Sequence, residues 1–241
     1  MPSVAIISKI KFPFFSLKHI ESYQVAVSYP VIFPSTLVGA FGYALSLLGE
    51  CKGDECSKAY SNYILKAREF VNESRRTIIS SKFPVILKRF RTLEREGNNY
   101  NLPEKIDEIS KSTDAMVREY VFTPERDFVF TVKNDKEIDV VKKALRLIDR
   151  LGDSESLVSV IDVREEELTE CTYNNVNVMV KGEFNFTENT LLLGLDENGN
   201  KSLFAIPYKI VDYSLVYSPI QVKKGNVLCG KSVRIPKGGD W

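Results

Sequence analysis

The sequence predicts an α+β fold: a ferredoxin-like βαββαβ domain with an inserted hairpin and a β-rich C-terminal extension. Three observations lead there. The chain begins with an alternating β-branched and aromatic run over 4–15. Two apolar stripes with helical spacing follow, one after Pro34-Ser35-Thr36 and one over 138–151. From about residue 170 onward the sequence is strand and turn. Placed in order, strand, helix, insertion, hairpin, helix and strand make βαββαβ. A chain of 241 residues buries roughly 65–75% of its unfolded surface, enough for one large domain with an appendage. We place the domain at 1–165, with the insertion at about 74–113, and the extension at 166–241.

Each element has its own signal. Val4, Ile6, Ile7, Ile10, Phe12, Phe14 and Phe15 form the first strand. Ser35 is the expected N-cap of the first helix, because its hydroxyl can accept from a first-turn N–H. Leu37, Phe41, Ala44, Leu45 and Leu48 are its apolar face. The same helix carries small residues at Ser35, Gly39, Gly42 and Ser46. Each internal Gly costs roughly 1 kcal/mol against Ala, so another backbone, or a phosphate, is expected to come close there. Residues 58–72 read as a second helix, and 96–113 as an exposed loop. Val117–Val132 reads as a hairpin turning at Thr123–Asp127. Ile138, Val141, Leu145, Ile148 and Leu151 form a helix face that Gly152 would end. Leu157–Val163 is a strand. Further on, Asn198-Gly199 predicts a type I′ turn between Leu191–Leu195 and Leu203–Ile206.

Composition excludes several chemistries. His19 is the single histidine. A paired-histidine ribonuclease and a His-paired metal site are therefore ruled out. The four cysteines are Cys51, Cys56, Cys171 and Cys229. The pair at C-x4-C spacing lacks a matching second pair, which argues against a zinc ribbon. Buried free thiols are the expected state, with a local Cys51–Cys56 disulfide as the alternative for a thermophile. The Walker loop, G-x-G-x-x-G and H-E-x-x-H are all missing from the sequence. Glu165, Glu166 and Glu167 are consecutive, so they cannot all face one metal, and a solvated turn is expected. The sequence shows no membrane span and no secretory signal, and it reads as cytosolic. No cofactor or metal is expected.

Charge is the strongest anomaly. Lys and Arg total 33 against 32 Asp and Glu, for a net charge of +1. Residues 74–95 alone are +6, from Arg75, Arg76, Lys82, Lys88, Arg89, Arg91 and Arg95 against Glu94, leaving −5 on the rest. Phe83 and Phe90 interleave with these cations. Lys and Arg pair with phosphates, and aromatic rings stack on splayed bases. One local nucleic-acid contact fits this pattern better than general coating of DNA. A solvated amphipathic hairpin is the plain alternative. A weaker cluster, Lys223, Lys224, Lys231, Arg234 and Lys237 among glycines, reads either as a phosphate-approaching loop or as an ordinary tail. Arg126–Phe130 is a loose echo of an RNA-recognition strand, without its Gly.

Three segments carry a family resemblance. Pro34-Ser35-Thr36-Leu37-Val38-Gly39-Ala40-Phe41-Gly42 resembles the helix start of the CRISPR-associated Cas-five family of the RAMP superfamily. Arg118-Glu119-Tyr120-Val121 resembles its central hairpin strand. Leu151–Val158 resembles its turn into the last ferredoxin strand. The resemblance implies a non-catalytic subunit of a type I Cascade complex, of the I-A branch. Such a subunit caps the 5′ handle of the CRISPR RNA, contacts the backbone RAMP subunit and the large subunit, and meets target DNA through the complex. Its thumb insertion would fall at 74–113. Ser35, Thr36, Arg75, Arg76, Lys82, Lys88, Arg89 and Arg91 would then bind RNA, and Phe83 or Phe90 would stack on a base. Two alternatives stay open. One is a metal-independent endoribonuclease, as in the I-C branch, using His19 and Tyr23. The other is a protein-interaction subunit without RNA contact.

Overall fold

Strand β1 (Val4–Lys11) is apolar on both faces because both faces are covered. The computed structural model describes residues 4–20, 25–49, 60–71, 76–78, 86–95, 113–153, 156–181, 189–211, 214–222 and 227–237. In it, β1 lies inside an antiparallel sheet of order β3–β6–β1–β7, where β3 is Arg76–Ile78, β6 is Glu125–Thr131 and β7 is Ser159–Glu167. Helix α1 (Pro34–Leu47) falls between β1 and β3, and α3 (Ile138–Leu145) falls between β6 and β7. These six elements follow the expected βαββαβ order. Helix α2 (Tyr60–Phe70) packs along α1.

Pleat alternation sends successive side chains to opposite layers. Ile6, Ile10, Phe128, Phe130 and Val163 join Leu37, Phe41, Leu45, Val141 and Leu145 in a core under the helices. Ala5, Ile7 and Val129 join Val176, Val178, Val180, Val227 and Ile235 in a second core on the other face. Full burial of each such aliphatic or aromatic side chain contributes about 1.5–3 kcal/mol. The C-terminal strands are β8 (Thr169–Glu170), β9 (Asn175–Val176), β10 (Val180–Lys181), β11 (Thr190–Leu195), β12 (Lys201–Ile206), β13 (Tyr208–Val211), β14 (Ser214–Tyr217), β15 (Ile220–Gln221), β16 (Val227–Cys229) and β17 (Arg234–Pro236), and β9, β10, β12, β15, β16 and β17 roof the second core. They form the sheets β10–β12–β11 and β17–β16–β8 and the pairs β13–β14 and β15–β9. A third core joins Tyr29, Val31 and Phe33 to Met179, Phe204, Ile206 and Tyr208. Among the described residues no helix is long and apolar enough to cross a membrane.

Several sequence expectations are corrected. The N-cap of α1 is Phe33, not Ser35; Ser35 is buried inside the first turn, after Pro34. Proline is favoured there because its missing N–H has no partner to lose. Residues 117–132 are not a hairpin. Strand β5 (Thr113–Phe122) pairs with β4 (Ile86–Arg95) and β2 (Val25–Ala26), while β6 pairs with β1 and β3. Phe15 bridges Val121 in the same register that sets Lys11 opposite Glu125, so the chain runs straight on through Thr123-Pro124. The two halves pair with neighbouring strands rather than with each other, which keeps them in line.

Helix α3 ends at Leu145, before the predicted stop. Gly152 (φ +129°) instead sits in the following turn, where a Cβ would lie 2.9 Å from Ser156 Oγ and 3.0 Å from Ser16 O. Glu165–Glu167 are not a solvated turn but the end of β7. Glu165 reaches Lys142 of α3, and Glu166 turns into the C-terminal layer and is 4% exposed. Cys171 and Cys229 are not free thiols but a disulfide. They stand on adjacent antiparallel strand ends, with Cys229 opposite Thr169. The predicted β11–β12 hairpin forms, with Gly199 at φ +80° and the Asp196 carboxylate accepting from Asn198 N and Asn200 N. Cys51, Cys56 and the 96–112 loop lie outside the described residues.

Candidate nucleic-acid interface

The basic segment divides between two places. Arg76 falls on β3, in the central sheet, opposite Val129. Lys88, Arg89, Phe90 and Arg91 fall on β4, opposite Tyr120, Glu119, Arg118 and Val117 of β5. The segment thus leaves the central sheet and continues as a two-stranded ribbon that also pairs with β2. Arg75, Lys82 and Phe83 lie outside the described residues.

Residues from four parts of the chain meet where the ribbon joins the sheet. Arg118 Nη1 donates to Asp153 Oδ2 at 3.0 Å. Asp153 Oδ1 accepts from Ser156 Oγ at 2.6 Å, and Ser156 Oγ accepts from Ser16 N at 3.2 Å. Glu119, 5% exposed, accepts from Ser28 N at 3.0 Å, and Ser28 Oγ accepts from Leu17 N. Two segments singled out by resemblance, Arg118–Val121 and Leu151–Val158, are therefore one structural unit. Also at the ribbon root, Phe14 meets Tyr120 edge-on at 5.5 Å and Phe122 at 6.2 Å. Phe14 is 37% exposed. Tyr120 stands opposite position 88, so a partly exposed aromatic cluster adjoins the basic positions. Sequence reading missed this trio because Phe14 and Tyr120 are far apart in the chain and each reads as strand core.

At the α1 start two backbone donors are used within the helix. Thr36 N and Leu37 N both donate to Phe33 O, at 3.1 and 3.3 Å. Gly39 and Gly42 are buried, as close packing requires. The Arg126–Phe130 echo lies on β6, where Phe128 and Phe130 face the helix layer and Val129 the C-terminal layer, all at 0% exposure. No aromatic of that strand is left open to a base. Burial also lowers the Arg126 pKa to about 9. His19 stacks on Tyr29 at 3.7 Å and 14°, and Tyr23 lies outside the described residues. Among the described residues no His, Cys, Asp and Glu cluster could hold a metal.

The C-terminal basic cluster is a pinned turn rather than a loose tail. Glu166 accepts from Ser232 N at 2.8 Å, from Ser232 Oγ at 2.6 Å and from Arg164 Nε at 3.2 Å. Burial pushes the Glu166 pKa up, but the bonds from Ser232 and Arg164 outweigh it and hold the carboxyl below its ordinary value. A Cβ on Gly230 would stand 2.6 Å from Glu166 Oε2, so only glycine lets this carboxylate reach the turn. Asn177 donates to Ser232 O at 2.9 Å and accepts from Arg234 N at 2.8 Å. Lys223, Lys224, Gly238 and Gly239 lie outside the described residues.

Comparison with known proteins agrees with this architecture. A protein from Archaeoglobus fulgidus, a CRISPR protein solved by crystallography, has a similar fold, with a TM-score of 0.51 and 16% identity over 97% of this chain and 99% of that one. A CRISPR-associated protein Cas5 of Thermoproteus tenax is 36% identical over 95% of this chain and 96% of its own length. A CRISPR-associated protein Cas5 of Methanocaldococcus jannaschii is 37% identical over 70% of this chain and 69% of its own. The family model described as CRISPR-associated protein (Cas_Cas5) matches residues 5–204. The chain therefore belongs to the Cas5 family of CRISPR-associated proteins, the family its sequence resembles.

Proposed function

We propose that this chain is a non-catalytic subunit of a type I Cascade complex, of the I-A branch, that holds the 5′ handle of the CRISPR RNA. The observation that supports the reading most directly is the ribbon root. There the basic β4 positions adjoin the half-exposed Phe14–Tyr120–Phe122 cluster. Cations supply affinity through phosphates, and aromatic faces accept unstacked bases. Lys88, Arg89 and Arg91 carry the phosphate contacts, with Arg75, Arg76 and Lys82 beside them in sequence. The backbone and large subunits are its protein partners, and target DNA is met through the assembled complex.

The test is gel-shift and denaturing-gel analysis of labelled CRISPR RNA, with and without its 5′ handle, in EDTA. The expected result is handle-dependent binding with intact RNA. Reversing Lys88, Arg89 and Arg91 to Glu is expected to weaken capture and to flatten the salt dependence by about 2 in log–log slope, since each single-strand phosphate contact contributes about 0.7. Unchanged capture by that variant removes the ribbon from the interface. Specific cleavage at the repeat assigns the chain to the endoribonuclease reading instead.

A further inference from the structure

The pinned C-terminal turn holds two cations and an aromatic ring that the ribbon does not use. Arg234 lies over the Tyr173 ring, with its guanidinium carbon 5.0 Å from the centroid, and donates to Tyr217 Oη at 3.4 Å. Tyr173 is 54% exposed, and Lys231, in the turn that precedes Arg234, is exposed too. Neighbouring cations have carboxylate partners: Lys237 pairs with Glu170, and Arg164 with Glu166. Among the described residues no carboxylate pairs with Lys231 or Arg234.

We propose that Tyr173, Arg234 and Lys231 form a second contact for single-stranded RNA, separate from the ribbon. A guanidinium stacked on a tyrosine keeps its N–H edge available to phosphate, while the open ring offers a face to a base. Unpaired positive charge favours a polyanion over an apolar protein surface. The site is also preorganised, which lowers the ordering cost of binding. Asn177 and Glu166 fix the backbone on either side of Val233, and the Cys171–Cys229 disulfide ties the strand leading to Tyr173 to the strand leading into the turn. The inference rests on the reading of this chain as an RNA-binding subunit and adds a contact to it.

Fluorescence anisotropy with a short labelled single-stranded oligoadenylate tests it on the full chain. Tyr173→Ala is expected to weaken binding roughly tenfold, within the range of one lost base stack. Arg234→Gln is expected to weaken it similarly and to lower the salt slope by about 0.7, and Arg234→Lys to restore the slope but not the affinity. Thermal midpoints control for folding. Photo-crosslinking of thiouridine-substituted RNA to the unaltered protein gives a second readout, with the adduct expected at Tyr173. Wild-type affinity in both variants, or crosslinks confined to the ribbon, overturns this inference and leaves the ribbon reading intact. Absence of RNA binding by the unaltered chain overturns both. Loss of assembly with another subunit at unchanged RNA affinity makes the patch a protein-docking face and also overturns it.

Discussion

The ribbon root and the C-terminal turn each gather basic residues, but they are held by different means. At the root, the ties are the buried Glu119 carboxylate, which accepts from Ser28 N, and a more open ion pair, Arg118–Asp153, whose side chains are 20% and 26% exposed. In the turn, a carboxylate with 2% side-chain exposure holds Ser232, a buried amide holds Ser232 and Arg234, and a disulfide holds Cys229. A carboxylate out of water is stabilising only if fully hydrogen-bonded, and Glu166 meets that condition. Both regions have a buried carboxylate; the difference teaches that cation density locates a candidate contact, while a covalent link and an added buried amide decide how firmly its backbone is held.

Breaking the turn is expected to have the largest effect. Cys171→Ser, which opens a covalent loop with a sequence separation of 58, is expected to cost about 4 kcal/mol in the chain-entropy model. Denaturant unfolding with and without reductant measures it; equal midpoints mean the turn does not depend on the bridge. Glu166→Ala leaves the Ser232 N–H without its acceptor and removes one of the partners of Arg164, and is expected to cost about 2–3 kcal/mol. Because its folded pKa lies below the ordinary 4.5, the Glu166 contribution is complete above that pH and is lost as pH falls through the folded value. Unfolding free energies of the wild type and Glu166→Ala are therefore expected to converge as pH falls through the acid range below the ordinary carboxyl value. Parallel curves would remove the carboxylate from the account. Asp153→Ala at the ribbon root is expected to cost less, about 1.5–2 kcal/mol, since its partner stays in reach of water. A larger loss than in Glu166→Ala would invert the comparison.

Much of the central fold is legible from local pattern. Ile6 and Ile10 alternate with Ala5 and Ile7, and a strand apolar on both sides must lie between two layers. The Leu37–Phe41–Leu45 spacing locates α1 directly. The ribbon is partly legible: its charge stands out in composition, but both halves of 117–132 have strand pattern and read as one hairpin. Pairing partners are not written in that pattern, and Pro124 is as compatible with a straight run as with a turn. The Phe14–Tyr120–Phe122 cluster was invisible for the same reason.

Strand and helix periodicity, the basic segment and the family resemblance are properties of neighbouring residues, so the sequence by itself determined them. The role of Glu166 was decided by tertiary structure. In sequence it is the middle of three glutamates; in the fold it alternates inward, meets a turn far along the chain, and needs the missing Cβ of Gly230 to reach it. The Cys171–Cys229 pairing and the placement of Arg234 over Tyr173 were decided the same way. Contacts between distant segments depend on layer order and register, and local propensity contains neither.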